Sequence, residues 1–226
     1  MENIERAIII NCGINNWYPI GSRRLAKSLN FVGWAGASLI YDGFYPPNSH
    51  QHEEIPYYMK IATFEEAIRQ GYTHILWCDS SMWAVNNPMK MFDIIEEQGY
   101  YFFSSGYNLA QSVNDNALAA VGMSRDEAEH EIEWASGLVG INMNNPNGKM
   151  LYETWKYYMD LGLSVGSRGH DNQSQDKRFL HHRQDQSCLS LAASKLKLKN
   201  EKGLDMVSYR GTGYKEKELI FFIESL

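Results

Sequence analysis

Short apolar segments rich in β-branched or aromatic residues alternate with longer segments of helical periodicity along most of the chain. The segments with the composition of strands are 7–11, 37–42, 73–78, 100–104, 138–143 and 219–223. Such alternation is typical of an α/β sheet, because the helices that connect neighbouring strands must cover its faces. The sequence therefore predicts an α/β fold.

The helical segments fall between these strands. The first helix is predicted to begin near Ser22, and the second to run over about 56–70. Further helices are predicted at 88–98, 125–134, 148–161 and 183–197. The irregular stretches 43–55 and 163–182 are expected to border the functional site, because loops of that length in a compact domain usually have a function.

The chain has the length of one globular domain and shows no sign of a second. Its 226 residues, 44% of them hydrophobic, can bury a sizeable core. The longest apolar runs are far shorter than the roughly 20 residues of a membrane-spanning helix, and acidic Glu2 and Glu5 precede the first run, unlike in a signal peptide. We therefore expect a single domain over residues 1–226, no membrane span and a cytoplasmic location.

Net charge and cysteine content argue against two functional classes. A net charge of −6 gives no general attraction to nucleic acid or to an anionic membrane. Cys12, Cys78 and Cys188 are far apart in sequence, and none has a CxxC partner that would indicate a zinc or redox site. We interpret them as reduced thiols of the core.

The strand at 73–78 ends directly on three polar residues, Asp79-Ser80-Ser81. In open α/β sheets ligands bind beyond the carboxyl ends of the strands, where a carboxylate can hold a cation or a substrate hydroxyl. The alternative is that Asp79 and Ser80 only cap the turn that follows, as these residue types commonly do. The local pattern leaves both interpretations open.

The apolar strand followed by Asp79-Ser80-Ser81 resembles the DxD motif of GT-A glycosyltransferases, with Ser81 in place of the second acid. The resemblance implies a single-domain, Rossmann-like GT-A fold, with a mixed, mostly parallel sheet flanked by helices. It also implies transfer of a hexosyl or pentosyl group from a nucleotide diphosphate sugar to an acceptor hydroxyl. In such a reaction Mn²⁺ or Mg²⁺ neutralises the diphosphate leaving group.

Three further segments resemble the same family in the same order along the chain. Segment 11–25 is similar to its first strand and nucleotide loop, 134–144 to its glycine-bearing strand beside the sugar, and 181–187 to its Asp-Gln pair at a helix start. The donor-binding residues that the resemblance implies are Asn11, Gly13, Tyr18, Arg24, Lys60, Asp79, Ser81, Gly137 and Gln186. The metal ligands that it implies are Asp79, Ser81 and a late histidine, with His181 as our candidate and His170 and His182 as alternatives.

The reaction itself can follow either of two stereochemical courses. An inverting enzyme needs a carboxylate to deprotonate the acceptor hydroxyl, and Asp185 and Glu133 are the candidates. A retaining enzyme instead needs its leaving-group side to be preorganised. The sequence favours neither course.

Two other functions stay open at this point. One is a catalytically silent sugar- or nucleotide-binding protein, which the missing second aspartate of the motif suggests. The other is a sugar-nucleotide hydrolase or nucleotidyltransferase on the same fold. For a transferase, a glycan, a lipid-linked sugar, a protein side chain and a modified nucleobase are all compatible acceptors, and the sequence indicates no oligomeric state.

Overall fold

The computed structural model describes residues 6–166, 174–209 and 218–224. The β-strands are β1 (Ala7–Gly13), β2 (Ala37–Asp42), β3 (His74–Cys78), β4 (Met82–Ala84), β5 (Tyr100–Asn108), β6 (Ile132–Asn142), β7 (Val207–Tyr209) and β8 (Phe221–Ile223). The α-helices are α1 (Tyr18–Phe31), α2 (Met59–Arg69), α3 (Met89–Gln98), α4 (Leu109–Ser112), α5 (Asp115–Val121), α6 (Arg125–Glu129), α7 (Pro146–Asp160) and α8 (Asp185–Lys195). A short 3-10 helix, Leu204–Met206, precedes β7.

The larger of two sheets has the strand order β2-β1-β3-β6-β5. Strand β1 pairs in parallel with β2 and β3, whereas β6 runs antiparallel to both β3 and β5. Four of the five strands therefore share one direction, and β6 alone is reversed. This arrangement confirms the predicted α/β fold with a mixed, mostly parallel sheet and flanking helices.

Both faces of this sheet are covered, which explains why its central strands are apolar without interruption. Along β1, Ile8 packs in a core cluster with Phe64 and Trp155 on one face. Its neighbour Ile9 points to the other face and packs in a second cluster with Leu25. Helices on both sides of β1 and β3 thus fix the position of the ends of these strands.

Beyond the end of β3, side chains of helix α8 form hydrogen bonds with the backbone of β6. Strand β3 pairs only with the 138–142 part of β6. Further towards the start of β6, the Trp134 N–H donates to Ser190 Oγ at 2.8 Å, and the Ser136 N–H donates to Gln186 Oε1 at 3.2 Å. The start of α8 therefore lies beside the carboxyl end of β3.

The smaller sheet, with the order β4-β8-β7, is an extension of the same core. Strand β8 pairs antiparallel with β4 and parallel with β7. Its residue Phe221 and the preceding Ile220 are buried in the same cluster as Ile9 and Leu76 of the larger sheet. This sheet supports the turn after Asp79, because β4 begins three residues beyond that acid.

Some predicted element boundaries are wrong. Helix α1 begins at Tyr18 rather than near Ser22, because Pro19 occupies the first turn, where its missing N–H costs nothing. The helix predicted for 125–134 stops early, and β6 already begins at Ile132. Elements α4, α5, β4 and β7 were not predicted, because at three to seven residues they are too short to show a period.

Among the helices of the described ranges, none combines the length and the hydropathy that crossing a membrane requires.

Candidate active site

A buried lysine joins the two aspartates that the sequence singles out. Lys60 of α2 places its Nζ 3.1 Å from Asp79 Oδ1 and 2.8 Å from Asp185 Oδ2. The same ammonium donates to the carbonyl oxygen of Ser136 at 2.9 Å and to its hydroxyl at 3.1 Å. Three elements distant in sequence therefore meet at one positive charge.

The surroundings of Lys60 keep it protonated. Burial on its own would lower the pKa of this lysine, but the Asp185 and Asp79 carboxylates outweigh that effect and raise the pKa above its ordinary value. The rings of Tyr57 and Trp77 lie 5.5 and 5.4 Å from Nζ, at distances that favour a cation over an aromatic face. Lys60 is thus a fixed cation below the surface, with 2% of its side chain exposed.

Asp79 is held by one of its two carboxylate oxygens. The indole N–H of Trp77 donates to Oδ1 at 2.7 Å, and Lys60 binds the same oxygen. Oδ2 lies beside Gly137, where an added Cβ would be 3.3 Å away. Because 37% of the Asp79 side chain is exposed, this carboxylate can meet a ligand.

The two serines that follow Asp79 have different surroundings. Ser80 is buried, and its hydroxyl accepts from Asn11 Nδ2 at 3.2 Å and bonds to the Ser22 hydroxyl at 3.0 Å. Asn11 is fully buried and also donates to the Cys78 carbonyl at 2.7 Å. This residue, predicted to bind the sugar nucleotide, therefore holds the turn in place from within the core. Ser80 therefore anchors the turn, whereas the Asp79 side chain is partly exposed, and a role of Asp79 in ligand binding stays a prediction.

A cavity of about 430 Å³ opens beside Asp79 and Ser81. Its wall carries aromatic side chains from the start of α1 and from the segment before α2, among them Tyr18, Tyr45 and Tyr57. The rings of Trp17 and Tyr18 stack at 4.6 Å between centroids. The size and the aromatic wall suit a small ligand with a flat ring.

Two other predicted donor-binding residues are engaged elsewhere. The Arg24 guanidinium donates to the Ser81 carbonyl at 3.0 Å and to the Glu224 carbonyl at 2.6 Å, and it lines a separate groove on the outer face of α1. A Cβ on Gly13 would lie 2.1 Å from Ser22 Oγ. Gly13 is therefore required for the close approach of α1 to β1, and Arg24 supports the turn from behind.

The first residues of α8 carry the predicted Asp-Gln pair. Gln184, which precedes the helix, has a φ of +59°, a strained conformation that sets the direction of the next two side chains. Asp185 is buried, and its carbonyl accepts from the Trp155 indole at 3.1 Å. The Nε2 of buried Gln186 has no hydrogen-bond partner within the described part of the chain.

Within the described residues, Glu133 and His181 are not among the groups that contact the Lys60 ammonium. Glu133 is fully buried, and its carboxylate accepts from the Ser105 hydroxyl. His181 packs edge-on against the Tyr107 ring, with 5.6 Å between centroids. His170 lies outside the described residues.

His182, the other candidate ligand, is a neutral core residue. It is fully buried, its Nδ1 accepts from the Asn114 N–H at 3.3 Å, and its Nε2 donates to the Leu163 carbonyl at 3.1 Å. Burial lowers its pKa from 6.5 to about 4. Both ring nitrogens are therefore engaged in packing the chain rather than directed to a ligand.

The site fits a divalent metal ion only if a ligand completes its shell. Within residues 6–166, 174–209 and 218–224, no three His, Cys, Asp or Glu side chains form a group that could hold a metal. Asp79 and Ser81 do line one cavity, and Mg²⁺ is commonly held by one or two carboxylates together with substrate phosphates and water. These two residues thus suit a metal that arrives with a diphosphate.

Sequence reasoning missed Trp77 and Ser136 as parts of the site. The signal for Trp77 was present, because residues two apart in a strand share a face, so its side chain points to the same side as that of Asp79. Ser136 gave no such signal, since it contacts Lys60 only through the folding together of β6 and α2.

Comparison with solved structures relates this fold to glycosyltransferases. A glycosyltransferase involved in the glycosylation of the major capsid of PBCV-1 matches with a TM-score of 0.51 and 11% sequence identity, over 96% of this chain and 92% of that chain. Mouse xyloside xylosyltransferase 1, in its apo form, matches with a TM-score of 0.48 and 12% identity, over 92% of this chain and 88% of that one. No protein-family model and no curated protein sequence matches the chain. The first of these structures shows that the chain has the fold of a glycosyltransferase.

Proposed function

We propose that this protein transfers a sugar from a nucleotide diphosphate sugar to an acceptor hydroxyl. The observation that carries the proposal is the meeting of Asp79, Lys60 and Asp185 beside the aromatic cavity at the carboxyl end of β3. Open α/β sheets bind their ligands at this edge. The likeness in fold to a glycosyltransferase supports the same reaction class.

The cavity suggests how the donor would lie. Its aromatic wall, which includes Tyr18 and Tyr45, offers flat surfaces for the nucleobase. The diphosphate would then lie near Asp79 and Ser81, and the sugar near Gly137 and Asp185. Gly137 suits this position because it adds no side chain between the sugar and Asp79 Oδ2.

The charges of the site favour a metal-assisted reaction. One ammonium between two carboxylates leaves the cluster of Lys60, Asp79 and Asp185 with a net negative charge, which does not neutralise a diphosphate. Asp79 and Ser81 would hold Mn²⁺ or Mg²⁺, which would supply the positive charge that stabilises the leaving group. Lys60 orients the two acids instead of binding the phosphates.

Asp185 is the candidate for orienting or activating the reacting groups. It reaches the site from the first turn of α8, and the Lys60 ammonium fixes the direction of its carboxylate. The second candidate base, Glu133, is also buried, but its carboxylate accepts from the Ser105 hydroxyl instead of contacting Lys60. We therefore assign the catalytic carboxylate to Asp185 in preference to Glu133.

The proposal predicts that the purified protein binds at least one of a panel of UDP- and GDP-linked hexoses and pentoses when Mn²⁺ or Mg²⁺ is present, and slowly hydrolyses or transfers its sugar. Asp79→Asn should lower turnover about 100-fold, because the substitution weakens the binding of the cation that stabilises the charge of the leaving group. Asp93→Asn, an exposed acid of α3, serves as the control and should leave turnover unchanged. Absence of binding to every donor would overturn the proposal.

A second candidate function is binding of a sugar nucleotide without turnover. It is favoured by Ser81, which stands where the resemblance calls for a second acid, and by the lack of a three-residue metal site among the described side chains. Calorimetry with a nucleoside diphosphate and metal distinguishes the two functions. A pure binder would keep its affinity in Asp79→Ala while the unsubstituted protein shows no turnover.

A further inference from the structure

We propose that Trp77 is a positioning residue, whose indole N–H acts with Lys60 to hold one oxygen of Asp79 so that the other is presented to the metal and diphosphate. This inference rests on the proposed function. It assigns a role to a buried tryptophan that lies in the wall of the cavity beside Asp79.

The geometry of the two donors carries the inference. Trp77 Nε1 lies 2.7 Å and Lys60 Nζ 3.1 Å from the same atom, Asp79 Oδ1. Among the described residues, none donates a hydrogen bond to Asp79 Oδ2, which faces the side of Gly137. Two protein groups thus bind Asp79 Oδ1, and Asp79 Oδ2 is left for a ligand.

Trp77 is suited to this task because its ring is enclosed in the core. Its side chain is 1% exposed and belongs to the core cluster of one sheet face, together with Ile10 and Phe64. A buried indole N–H must find an acceptor, and the Asp79 carboxylate is the acceptor within reach. A rigid donor at one oxygen fixes the plane and the rotation of an otherwise partly exposed carboxylate.

Trp77 offers a cleaner test than Lys60. Removal of the lysine would leave Asp185 buried without its counter-charge and would disturb several contacts at once. Trp77→Phe keeps a large aromatic ring and removes the N–H. Loss of a residue that orients a metal ligand typically weakens metal affinity or activity about 10- to 100-fold.

The experiment measures UDP and GDP affinity by calorimetry, with and without Mn²⁺. We expect Trp77→Phe to weaken Mn²⁺-dependent binding at least about 10-fold and to leave metal-free binding nearly unchanged. Trp34→Phe is the matched control, because it removes an indole N–H that donates to the Ala37 carbonyl at 3.1 Å, far along the chain from Asp79. This control should leave both affinities unchanged.

A second measurement keeps the inference testable if Trp77→Phe does not fold. In ¹⁵N spectra of the protein that retains Trp77, Asp79→Ala should shift the Trp77 indole N–H resonance and leave the Trp34 resonance in place. Where Trp77→Phe does fold, adding it in the Asp79→Ala background should weaken binding no further, because the tryptophan acts through the acid.

The outcomes separate this inference from the proposed function. Equal weakening by Trp77→Phe with and without Mn²⁺, additive losses in the double variant, or an unmoved indole resonance would overturn the role of Trp77 while donor binding itself stands. Failure of the unsubstituted protein to bind either nucleotide with Mn²⁺ would overturn the proposed function, and with it this inference.

Discussion

At the scale of single residues, the site is organised around one buried charge. Lysine side chains are seldom fully buried. The buried ammonium of Lys60 contacts two carboxylates and both oxygens of Ser136. The lysine and its carboxylates stabilise one another only together, because removing the lysine or its carboxylates leaves an uncompensated charge in the interior. The two acids therefore reach their positions only when α2, β3 and α8 have all packed.

A second buried group, His182, makes stability depend on pH. Its pKa is about 4 in the folded protein, against an ordinary value of 6.5. Between these values the unfolded chain binds more protons than the folded one, so stability is complete above pH 6.5 and falls as the pH drops towards 4. We expect this histidine to remove about 3 kcal/mol of unfolding free energy between pH 7.5 and pH 4.

Urea unfolding at a series of pH values tests this expectation. His182→Asn should reduce the difference in stability between pH 7.5 and pH 4, even though the loss of two hydrogen bonds lowers stability at both. His50→Asn, at a histidine whose side chain is 48% exposed, is the control and should keep the slope. An unchanged slope in His182→Asn would assign the acid sensitivity to other groups.

At the scale of elements, the sequence predicts what is local. The strand before Asp79 could be located because an apolar run ends on polar residues, and the start of α8 because Asp185 precedes an apolar helix. The burial of Lys60 could not be predicted, since its neighbours in the fold are Asp185 and Ser136, which are remote in sequence. The first residues of β6 were predicted to be helical. Their pairing with β5 is likewise a contact between segments that are apart in sequence, so the local pattern does not reveal it.

Helix α7 shows how an element depends on a single small residue. Gly148 lies in its first turn, where an added Cβ would be 2.1 Å from the Gly99 carbonyl oxygen and 2.5 Å from that of Asn142. Gly148→Ala should lower the free energy of unfolding by about 3 kcal/mol, although alanine favours a helix by about 1 kcal/mol. Lys149→Ala, at the exposed next position, should change stability little. Equal stability of the two variants in urea would contradict this packing.

At the scale of the whole molecule, the two sheets share one core. The cluster on one face of the larger sheet includes Leu76 and Leu138, and it continues into Met206 and Phe221 around the smaller sheet. The smaller sheet also carries β4, which directly follows the Asp79 turn. This continuity supports the prediction that residues 1–226 form a single domain, which a folding experiment can test.

Phe221→Ala provides that test. The side chain is fully buried in the middle of the smaller sheet, where Phe221 is in register with Ala84 of β4 and Val207 of β7. Truncation of such a core phenylalanine costs about 3–5 kcal/mol. If the chain is one cooperative unit, that loss shifts a single transition, with coincident midpoints by circular dichroism and tryptophan fluorescence.

Phe31→Ala, at a side chain that is 90% exposed, should leave the transition in place. Two separate transitions in Phe221→Ala would show instead that the smaller sheet unfolds independently, and that the turn bearing Asp79 is supported by a unit less stable than the main sheet.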